Sequence, residues 1–577
     1  HNAHDSASLQ LLLALQVAAA LEPTRPTEES DSLEMIELVL DHHRAEVPKD
    51  RFLRRTMGIL PGQRHHLMPA NLYGHLRDRE TALLPQDGLA ALLGDPRIDH
   101  LVEIATLLRV ALRTLKARVN DDDSPIKISN FNGVGGGTIL YAGHYPRLHP
   151  SDFRVRSLDG VADDWPIDYE TLEPFFALND RMMGVASLAG DPAYPERDQV
   201  MGPIPLGRTG QVLGKAMNDL GWHWWPSDAA IATREYEGRA PCINLGQCGS
   251  GCAQGAKGTT DLTYWPEAQR ARVEIRPRCR VSRIETGPDG MATGAHYFDA
   301  DGKEHFQPAE IVVLACNGIG TPRLLLSSES GRFPNGLANS SGLVGRNLML
   351  HPYAQIRGHF DQPMDGHRGS PICIWSHEFY ETEAERGFVR GYCYQFSRGM
   401  GPVRTATTGM ADGLLPWGEG HHDAFRRLFG HSAGMLAICE DLPEEHNRVT
   451  LDPELKDANG IPAPKISYRL SENSRLMLDH SVARGVEILK AAGARDITTR
   501  APLPYAGWHL MGTARMGTDP ERSVVNEWGR SHDVKNLFIV DGSVFVTSGG
   551  VNPTSTIQAV ALYVADQIKT RLYELFD

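Results

Sequence analysis

The chain has 577 residues, enough for more than one hydrophobic core, and its apolar and charged fractions (41% and 23%) are those of an ordinary globular protein. With 58 basic and 72 acidic side chains its net charge is −14, which argues against a nucleic acid or an acidic membrane surface as partner. No apolar run reaches the length needed to cross a bilayer, so we expect no transmembrane segment; the compartment, cytoplasmic or periplasmic, stays open.

The first 125 residues predict a mostly helical region. Apolar residues recur at helical spacing through residues 33–40 and 98–119, and a stretch of Asn, Asp, Ser and Pro at residues 120–125 ends the pattern. Neither a repeat nor a cluster of catalytic side chains occurs here. We therefore predict an N-terminal helical region, residues 1–125, without site chemistry of its own.

A glycine-rich loop follows at residues 132–138. Bare glycines let backbone N–H groups approach an anion without side-chain obstruction, although a run of this kind also occurs in ordinary turns. The candidate cofactor-binding residues of this loop are Asn132, Gly133, Gly135, Gly136, Gly137 and Thr138.

Three of the eight cysteines, Cys242, Cys248 and Cys252, fall within eleven residues and are interleaved with glycines. Three thiolates suit a [3Fe–4S] cluster, in which one corner needs no ligand. A zinc site short of one ligand, a disulfide plus a free thiol, and a metal-free loop are the alternatives. The other five are expected to be inert core residues. They are Cys279, Cys316, Cys373, Cys393 and Cys439.

The middle of the chain predicts strands. Residues 273–276 and 281–284 alternate in polarity, and residues 310–316 form an apolar run that enters the turn 317–322, with a helix from Arg323 behind it. Beyond a crossing segment, further alternating runs predict a largely antiparallel sheet, covered by a helix that Gly493 ends. These runs are residues 354–360, 388–396, 434–439, 447–452 and 465–468, and the helix is residues 474–492.

The C-terminal segment carries the most informative pattern. The apolar strand 537–540 ends at Asp541 and Gly542, as a buried parallel strand does when its carboxyl end faces a ligand. Pro553 is placed as the first residue of a helix with one apolar stripe. Asn552, just before it, either caps this helix or points into whatever lies in front of it.

Three stretches in this segment resemble one signature. They are His-x-x-Gly-Thr-x-Arg-Met-Gly at residues 509–517, Leu-Phe-Ile-Val-Asp-Gly-Ser at residues 537–543, and Asn-Pro-Thr-x-Thr-Ile-x-Ala at residues 552–559. In this order they resemble the C-terminal signature of the glucose–methanol–choline (GMC) flavoprotein oxidoreductases. The glycine-rich loop and the turn 317–322 resemble two further segments of that family, and the resemblance runs from residue 126 to the end.

The resemblance implies an α/β FAD-binding (Rossmann-like) domain, residues 126–345 and 505–577, and an α+β antiparallel-sheet substrate domain, residues 346–504. It also implies non-covalent FAD. The family's opening strand–Gly-x-Gly-x-x-Gly–helix unit, which places the pyrophosphate on a helix N-terminus, has no counterpart in residues 1–125. We therefore expect this chain by itself to hold FAD weakly, or another segment or chain to replace the unit.

The resemblance also assigns roles in the site. Alcohol oxidation removes a proton from oxygen and a hydride from carbon. His509 would take the proton, and flavin N5 would take the hydride. Asn552 would orient the His509 ring and hold the substrate oxygen. The residues that the resemblance adds to the cofactor contacts are Val281, Asn317, Asp541, Gly542, Asn552, Pro553 and Thr554.

The function implied is an FAD-dependent dehydrogenase acting on a sugar, polyol or other alcohol, similar to the catalytic subunits of bacterial sugar and alcohol dehydrogenases. In the subunits that the Cys spacing resembles, an iron–sulfur cluster passes electrons towards a cytochrome, so a small subunit and a cytochrome are expected partners. The alternatives are an oxidase of the same fold and a non-catalytic or truncated subunit that cannot hold FAD alone.

Overall fold

The computed structural model describes residues 119–246, 248–571 and 573, which belong to the second of the chain's two contact units. The predicted N-terminal helices lie outside these residues, apart from Val119 at the end of the second one. None of the described helices is both long and apolar enough to span a membrane.

The described part of the chain is a mixture of short strands and helices. The strands are β1 (Asn120–Asp123), β2 (Trp225–Pro226), β3 (Arg280–Thr286), β4 (Ala292–Phe298), β5 (Glu304–Pro308), β6 (Val312–Leu314), β7 (Tyr353–His359), β8 (Ile372–Ser376), β9 (Tyr392–Ser397), β10 (Ser432–Cys439), β11 (Arg448–Lys456), β12 (Pro462–Ser467), β13 (Asp496–Arg500) and β14 (Leu537–Ile539). The helices are α1 (Val155–Asp159), α2 (Tyr169–Met183), α3 (Gly207–Leu220), α4 (Thr260–Thr263), α5 (Trp265–Arg270), α6 (Asn317–Leu326), α7 (Pro402–Ala411), α8 (His421–Leu428), α9 (Glu472–Ala491) and α10 (Thr554–Thr570).

β6 and β14 form a parallel pair, with Val312 opposite Leu537 and Leu314 opposite Ile539. Both strands are short and apolar, and their carboxyl ends lead to neighbouring turns, at Asn317 after β6 and at Asp541 after β14. The predicted parallel strand with its carboxyl end facing a site is therefore present. Its partner β6 is shorter than the run 310–316 predicted, because α6 begins at Asn317.

A six-stranded sheet has the order β13-β7-β10-β9-β8-β2, and all its neighbours are antiparallel. Three of the five alternating runs, residues 354–360, 388–396 and 434–439, fall on its strands β7, β9 and β10, whereas residues 447–452 and 465–468 fall on β11 and β12 of another sheet. The first strand of this sheet in chain order, β2, lies outside residues 346–504, the predicted substrate domain. Helix α9 packs across β7 and β10, and apolar side chains from helix and sheet form one core cluster.

Two smaller sheets complete the described strands. β3, β4 and β5 form an antiparallel meander, and β12 pairs with β11 antiparallel and with β1 parallel.

One predicted strand and two predicted helix starts were wrong. Residues 273–276 are not a strand, because their backbone pairs with none of the described strands. Val273 is 49% exposed, and Arg276 reaches β4 and β5 only through its side chain, which donates to Tyr297 and Gln307. Helix α6 starts at Asn317 and not at Arg323. Helix α10 starts at Thr554, one residue later than predicted, with Pro553 as its N-cap.

The segment between β14 and α10 is the junction of the structure. Val544, Phe545 and Val551 are fully buried in the largest core cluster, which contains side chains from both the parallel pair and the six-stranded sheet. The carbonyl of Gly550 accepts a hydrogen bond from the backbone N–H of Cys393 in β9 at 3.2 Å. This packing holds Asn552, which follows Val551, between the parallel strand pair and the six-stranded sheet.

Replacing Ile356 by alanine should destabilise the fold. Ile356 is fully buried in β7, and its side chain faces α9 at Gly485, so truncation leaves a cavity that a helix packed on a sheet cannot close. We expect a loss of about 2–5 kcal/mol in the free energy of unfolding, measured by urea denaturation. Thr499→Ala, at an exposed position of β13, is the control and should change it by less than about 0.5 kcal/mol. Equal losses in the two variants would contradict this packing.

Candidate active site

Two short segments bring His509 beside His351. The backbones of Met349 and Met511 exchange hydrogen bonds, with N–H···O distances of 3.0 and 3.2 Å. Gly512 has a φ of +89°, and a Cβ there would lie 2.2 Å from the carbonyl oxygen of Asn347. Only glycine allows this approach, so Gly512 explains how the His509 segment can lie against the start of β7.

The protonation of the His509 ring follows from its hydrogen bonds. His351 Nε2 lies 2.6 Å from the carbonyl oxygen of Gly549, which can only accept, so His351 carries its proton on Nε2. Its Nδ1 is then an acceptor, 2.7 Å from His509 Nδ1. His509 must therefore donate from Nδ1, which leaves a lone pair on Nε2, the nitrogen that a general base needs.

Burial keeps both rings neutral. It lowers the pKa of His351 to about 4. It also lowers the pKa of His509 well below the usual 6.5, and Coulomb repulsion from His351 and His144 adds to this effect. A neutral His509 is ready to accept a proton at and below neutral pH.

Asn552 and His509, far apart in sequence, lie together. Asn552 Nδ2 is 3.4 Å from His509 Nε2. Asn552 Oδ1 faces away from that ring and accepts hydrogen bonds from His144 Nδ1, at 3.0 Å, and from Gln395 Nε2. Among the described residues no side chain caps α10, and the Asn552 amide instead contacts His509, His144 and Gln395, so of its two interpretations the structure selects the one in which it points into the site.

An aromatic pair borders the two histidines. The hydroxyl oxygen of Tyr353 lies 3.4 Å from His509 Nδ1 and accepts a hydrogen bond from Trp508 Nε1 at 3.2 Å. Tyr353 is buried, whereas Trp508 is 38% exposed, so this pair extends from His509 to the protein surface.

Asp541 joins the two strand ends. Its Oδ2 accepts from the backbone N–H of Asn317 at 3.0 Å and from Thr321 Oγ1 at 2.5 Å, and its Oδ1 accepts from the N–H of Ser543 at 2.9 Å. Burial raises the pKa of this carboxyl, and these hydrogen bonds oppose the rise. Asp541 therefore ties the turn after β6 to the turn after β14.

The glycine-rich loop has an open face that fits a flat, phosphate-bearing cofactor. Gly135 and Gly136 have φ values of +94° and +53°, and a Cβ built at Gly136 or Gly137 would meet no atom within 4 Å. No side chain of the described residues caps the N-terminus of α10, and the positive end of its dipole suits an anionic ring or phosphate. These features fit the flavin end of FAD.

Other predicted cofactor residues have structural contacts or lie elsewhere. Thr138 is buried and closes the loop, since its Oγ1 donates to the carbonyl of Gly135 at 2.5 Å. Asn132 and Gly133 are exposed. Val281, 41% exposed, lies in β3, in a different sheet from the β6–β14 pair. Gly542 accepts a hydrogen bond from the N–H of Gly512 at 3.1 Å.

The three clustered thiols share one loop. Burial raises the pKa of Cys248; the charge of Lys257 lowers it, and the nearby thiols of Cys242 and Cys252 raise it further. All eight cysteines are free. Gln247 of this loop lies outside the described residues, and among those described no group of three or more His, Cys, Asp or Glu side chains is arranged to hold a metal ion.

Sequence reasoning missed three side chains of this site. His144 follows the glycine-rich loop, His351 precedes β7 in a His-Pro pair, and Gln395 lies in β9. The first two could have been noticed as histidines bordering a glycine-rich or domain-crossing segment. Nothing in an alternating strand distinguishes Gln395.

Models of the GMC oxidoreductase family match residues 124–353 and 443–561. The 2-methyl-1,2-propanediol dehydrogenase of Mycolicibacterium austroafricanum is 43% identical over 454 residues, 77% of this chain and 82% of that protein. The fructose dehydrogenase large subunit of Gluconobacter japonicus is 31% identical over 454 residues, 78% of this chain and 82% of that protein.

Two solved structures are similar in fold. The pyridoxine 4-oxidase from Mesorbium loti has a TM-score of 0.55 at 18% identity and covers 78% of this chain and 87% of its own. An FAD-dependent oxidoreductase from Chaetomium thermophilum has a TM-score of 0.54 at 14% identity and covers 79% of this chain and 90% of its own. These likenesses concern the fold alone and confirm the predicted fold class for the described residues.

The ring of His509 should stay neutral, with its proton on Nδ1, as pH falls through 6.5. Burial lowers its pKa, so protonation begins only below the usual range of an exposed imidazole. Nitrogen-15 NMR of histidine-labelled protein measures both properties, with His509→Gln identifying the signal. The urea-unfolded chain is the control and should titrate near 6.5. A His509 signal that titrates at that pH in the folded protein would contradict this environment.

Proposed function

The chain belongs to the GMC oxidoreductase family, and we propose that within this family it is an FAD-dependent dehydrogenase that oxidises the CH–OH group of a small alcohol, polyol or sugar. The observation that carries the proposal is the pair formed by a lone pair on His509 Nε2 and an amide N–H of Asn552, with 3.4 Å between the two nitrogens, in front of the N-terminus of α10. This pair combines a proton acceptor with a neutral hydrogen-bond donor, the two groups that alcohol oxidation needs from the protein.

His509 removes the hydroxyl proton. Its Nε2 accepts that proton while Nδ1–H remains bonded to His351 Nδ1, so the ring gains a charge without turning. The neutral His351 stabilises the resulting imidazolium as an acceptor. Bound FAD supplies the acceptor for the hydride that leaves the carbon.

Asn552 holds the substrate oxygen. Its Nδ2 has two N–H groups, of which one faces His509 and the other is free to donate to the oxygen that becomes negative. An amide does not titrate, so it stabilises this oxygen without competing for the proton. The positive end of α10 adds to the stabilisation.

Relatives support the substrate class. The 43% identical relative is named for 2-methyl-1,2-propanediol and the 31% identical one for fructose; both are CH–OH compounds and both proteins are named dehydrogenases. A relative from Streptomyces lividus that is 31% identical over 494 residues is named an oxidase, so oxygen as acceptor is the alternative to be tested.

His509→Ala should abolish rapid flavin reduction. Loss of the base lowers such rates by about a hundred- to ten-thousand-fold. Stopped-flow reduction of FAD-loaded protein by 2-methyl-1,2-propanediol or D-fructose measures the rate, first in air-free buffer and then with oxygen added to follow reoxidation. His422→Ala, an exposed control on α8, should reduce at the normal rate. Normal reduction in His509→Ala would disprove the proposed mechanism, and rapid reoxidation by oxygen would favour the oxidase.

We further propose that electrons leave by way of the cysteine loop towards a small subunit or cytochrome. The loop lies against the segment that follows the glycine-rich loop: Lys257 Nζ donates to the carbonyls of Ile139, Tyr141 and Cys248 at 2.9, 2.7 and 2.7 Å. This proximity and the spacing of the three thiols support a [3Fe–4S] cluster. No step of the mechanism above depends on it.

Iron analysis tests the relay. Protein purified without oxygen should contain about three iron atoms per chain if the cluster is present, and Cys248→Ser should lose them. Cys279→Ser, outside the loop, should keep them. An iron-free wild-type chain with full dye-linked activity would exclude the relay and leave the flavin reaction intact.

A further inference from the structure

The amide of Asn552 has two possible orientations, which exchange its oxygen and nitrogen. With nitrogen towards His509, it donates to the base and to the substrate oxygen. With oxygen there, it would face the lone pair of His509 Nε2 and repel an oxygen that is gaining negative charge. The proposed reaction therefore requires one orientation, and the protein must select it.

Two donors converge on the far side of this amide. His144 Nδ1 lies 3.0 Å from Asn552 Oδ1, and Gln395 Nε2 donates to the same oxygen. We propose that His144 and Gln395 are positioning residues that hold the Asn552 amide with its nitrogen towards the base and the substrate. This inference rests on the proposed function and adds two residues to its machinery.

Within this series of hydrogen bonds, from Gly549 to Asn552, each donor and acceptor has one assignment. The carbonyl of Gly549 can only accept, so the proton positions of His351 and then of His509 are set. The lone pair of His509 Nε2 faces Asn552 Nδ2, which must therefore donate, so the amide oxygen faces the other way. His144 and Gln395 are both able to donate there, and the flipped amide would oppose N–H to N–H at both contacts.

Burial makes this selection strong. His144 and Gln395 are 3% and 6% exposed, so water cannot replace a hydrogen bond that is lost. Burial also lowers the pKa of His144 to about 4, so its ring has a single N–H, and the bond to Asn552 uses it. His144 Nε2 is buried and has no hydrogen-bond partner among the described residues, so it offers the proton no better position.

The two donors come from different parts of the fold. His144 lies in the segment after the glycine-rich loop. Its backbone forms an isolated β-bridge with Ala229, and its ring centroid is 5.6 Å from that of Trp375 in β8. Gln395 lies inside β9, paired with Leu436 on one side and Trp375 on the other. The amide therefore adopts its working orientation only where the glycine-rich segment and the six-stranded sheet meet.

Matched substitutions separate donation from packing. His144→Leu removes the donor, whereas His144→Asn keeps an N–H group at the position of Nδ1. Gln395→Glu keeps the shape but replaces the donor by an acceptor. We measure the limiting rate of flavin reduction in the FAD-loaded full chain, with 2-methyl-1,2-propanediol or D-fructose as substrate. His144→Leu and Gln395→Glu should each slow it by about 5- to 150-fold, the loss of one buried hydrogen bond, and His144→Asn should recover most of the rate.

A double-mutant cycle gives the decisive readout. In an Asn552→Ala background there is no amide to orient, so His144→Leu and Gln395→Glu should change the rate by less than about twofold. Equal losses with and without Asn552, or no recovery in His144→Asn, would overturn the positioning role. If His144→Leu fails to bind FAD, the Gln395→Glu cycle decides. If flavin is reduced at the normal rate in Asn552→Ala and His509→Ala, the proposed function fails. If flavin reduction is slow in these two variants but normal in His144→Leu and Gln395→Glu, only the positioning role fails.

Discussion

The carbonyl oxygen of Gly549 sets the direction of the hydrogen bonds around His509. A carbonyl cannot donate, so it fixes the proton of His351 on Nε2, and each following pair of atoms has one remaining assignment. The result is a lone pair on His509 Nε2 beside an N–H of Asn552. A neutral ring with a free lone pair is thus obtained without a charged partner, which suits a buried site where an isolated charge would be costly.

That carbonyl is useful only if its loop stays in place. The N–H of Gly550 donates to the hydroxyl of Tyr380 at 3.0 Å, and this hydroxyl donates to Asp152 at 2.8 Å. Asp152 in turn is paired at 2.5 Å with Arg390, which also bonds Glu440 at 3.0 Å. Buried ion pairs contribute little net stability, but breaking one leaves an unpaired charge, so such a cluster holds its neighbours to one geometry.

The fold was largely predictable because its signals are local. Alternating runs gave three strands of the six-stranded sheet, β7, β9 and β10, and an apolar run ending at Asp541 gave β14. Where packing decides, the pattern failed: residues 273–276 alternate, but their backbone pairs with none of the described strands. β2 is too short to be recognised, since Trp225 and Pro226 become a strand only by pairing with β8.

The sequence by itself determined which groups the candidate site could contain: an imidazole at 509, an amide at 552 and a glycine-rich loop at 132–138, in an order typical of one family. The tertiary structure decided how these groups face one another. His351, His144 and Gln395 lie 158, 408 and 157 residues from the side chains that they contact. Periodicity reports only which face of an element is buried, whereas a hydrogen bond depends on the direction of two groups that folding alone brings together.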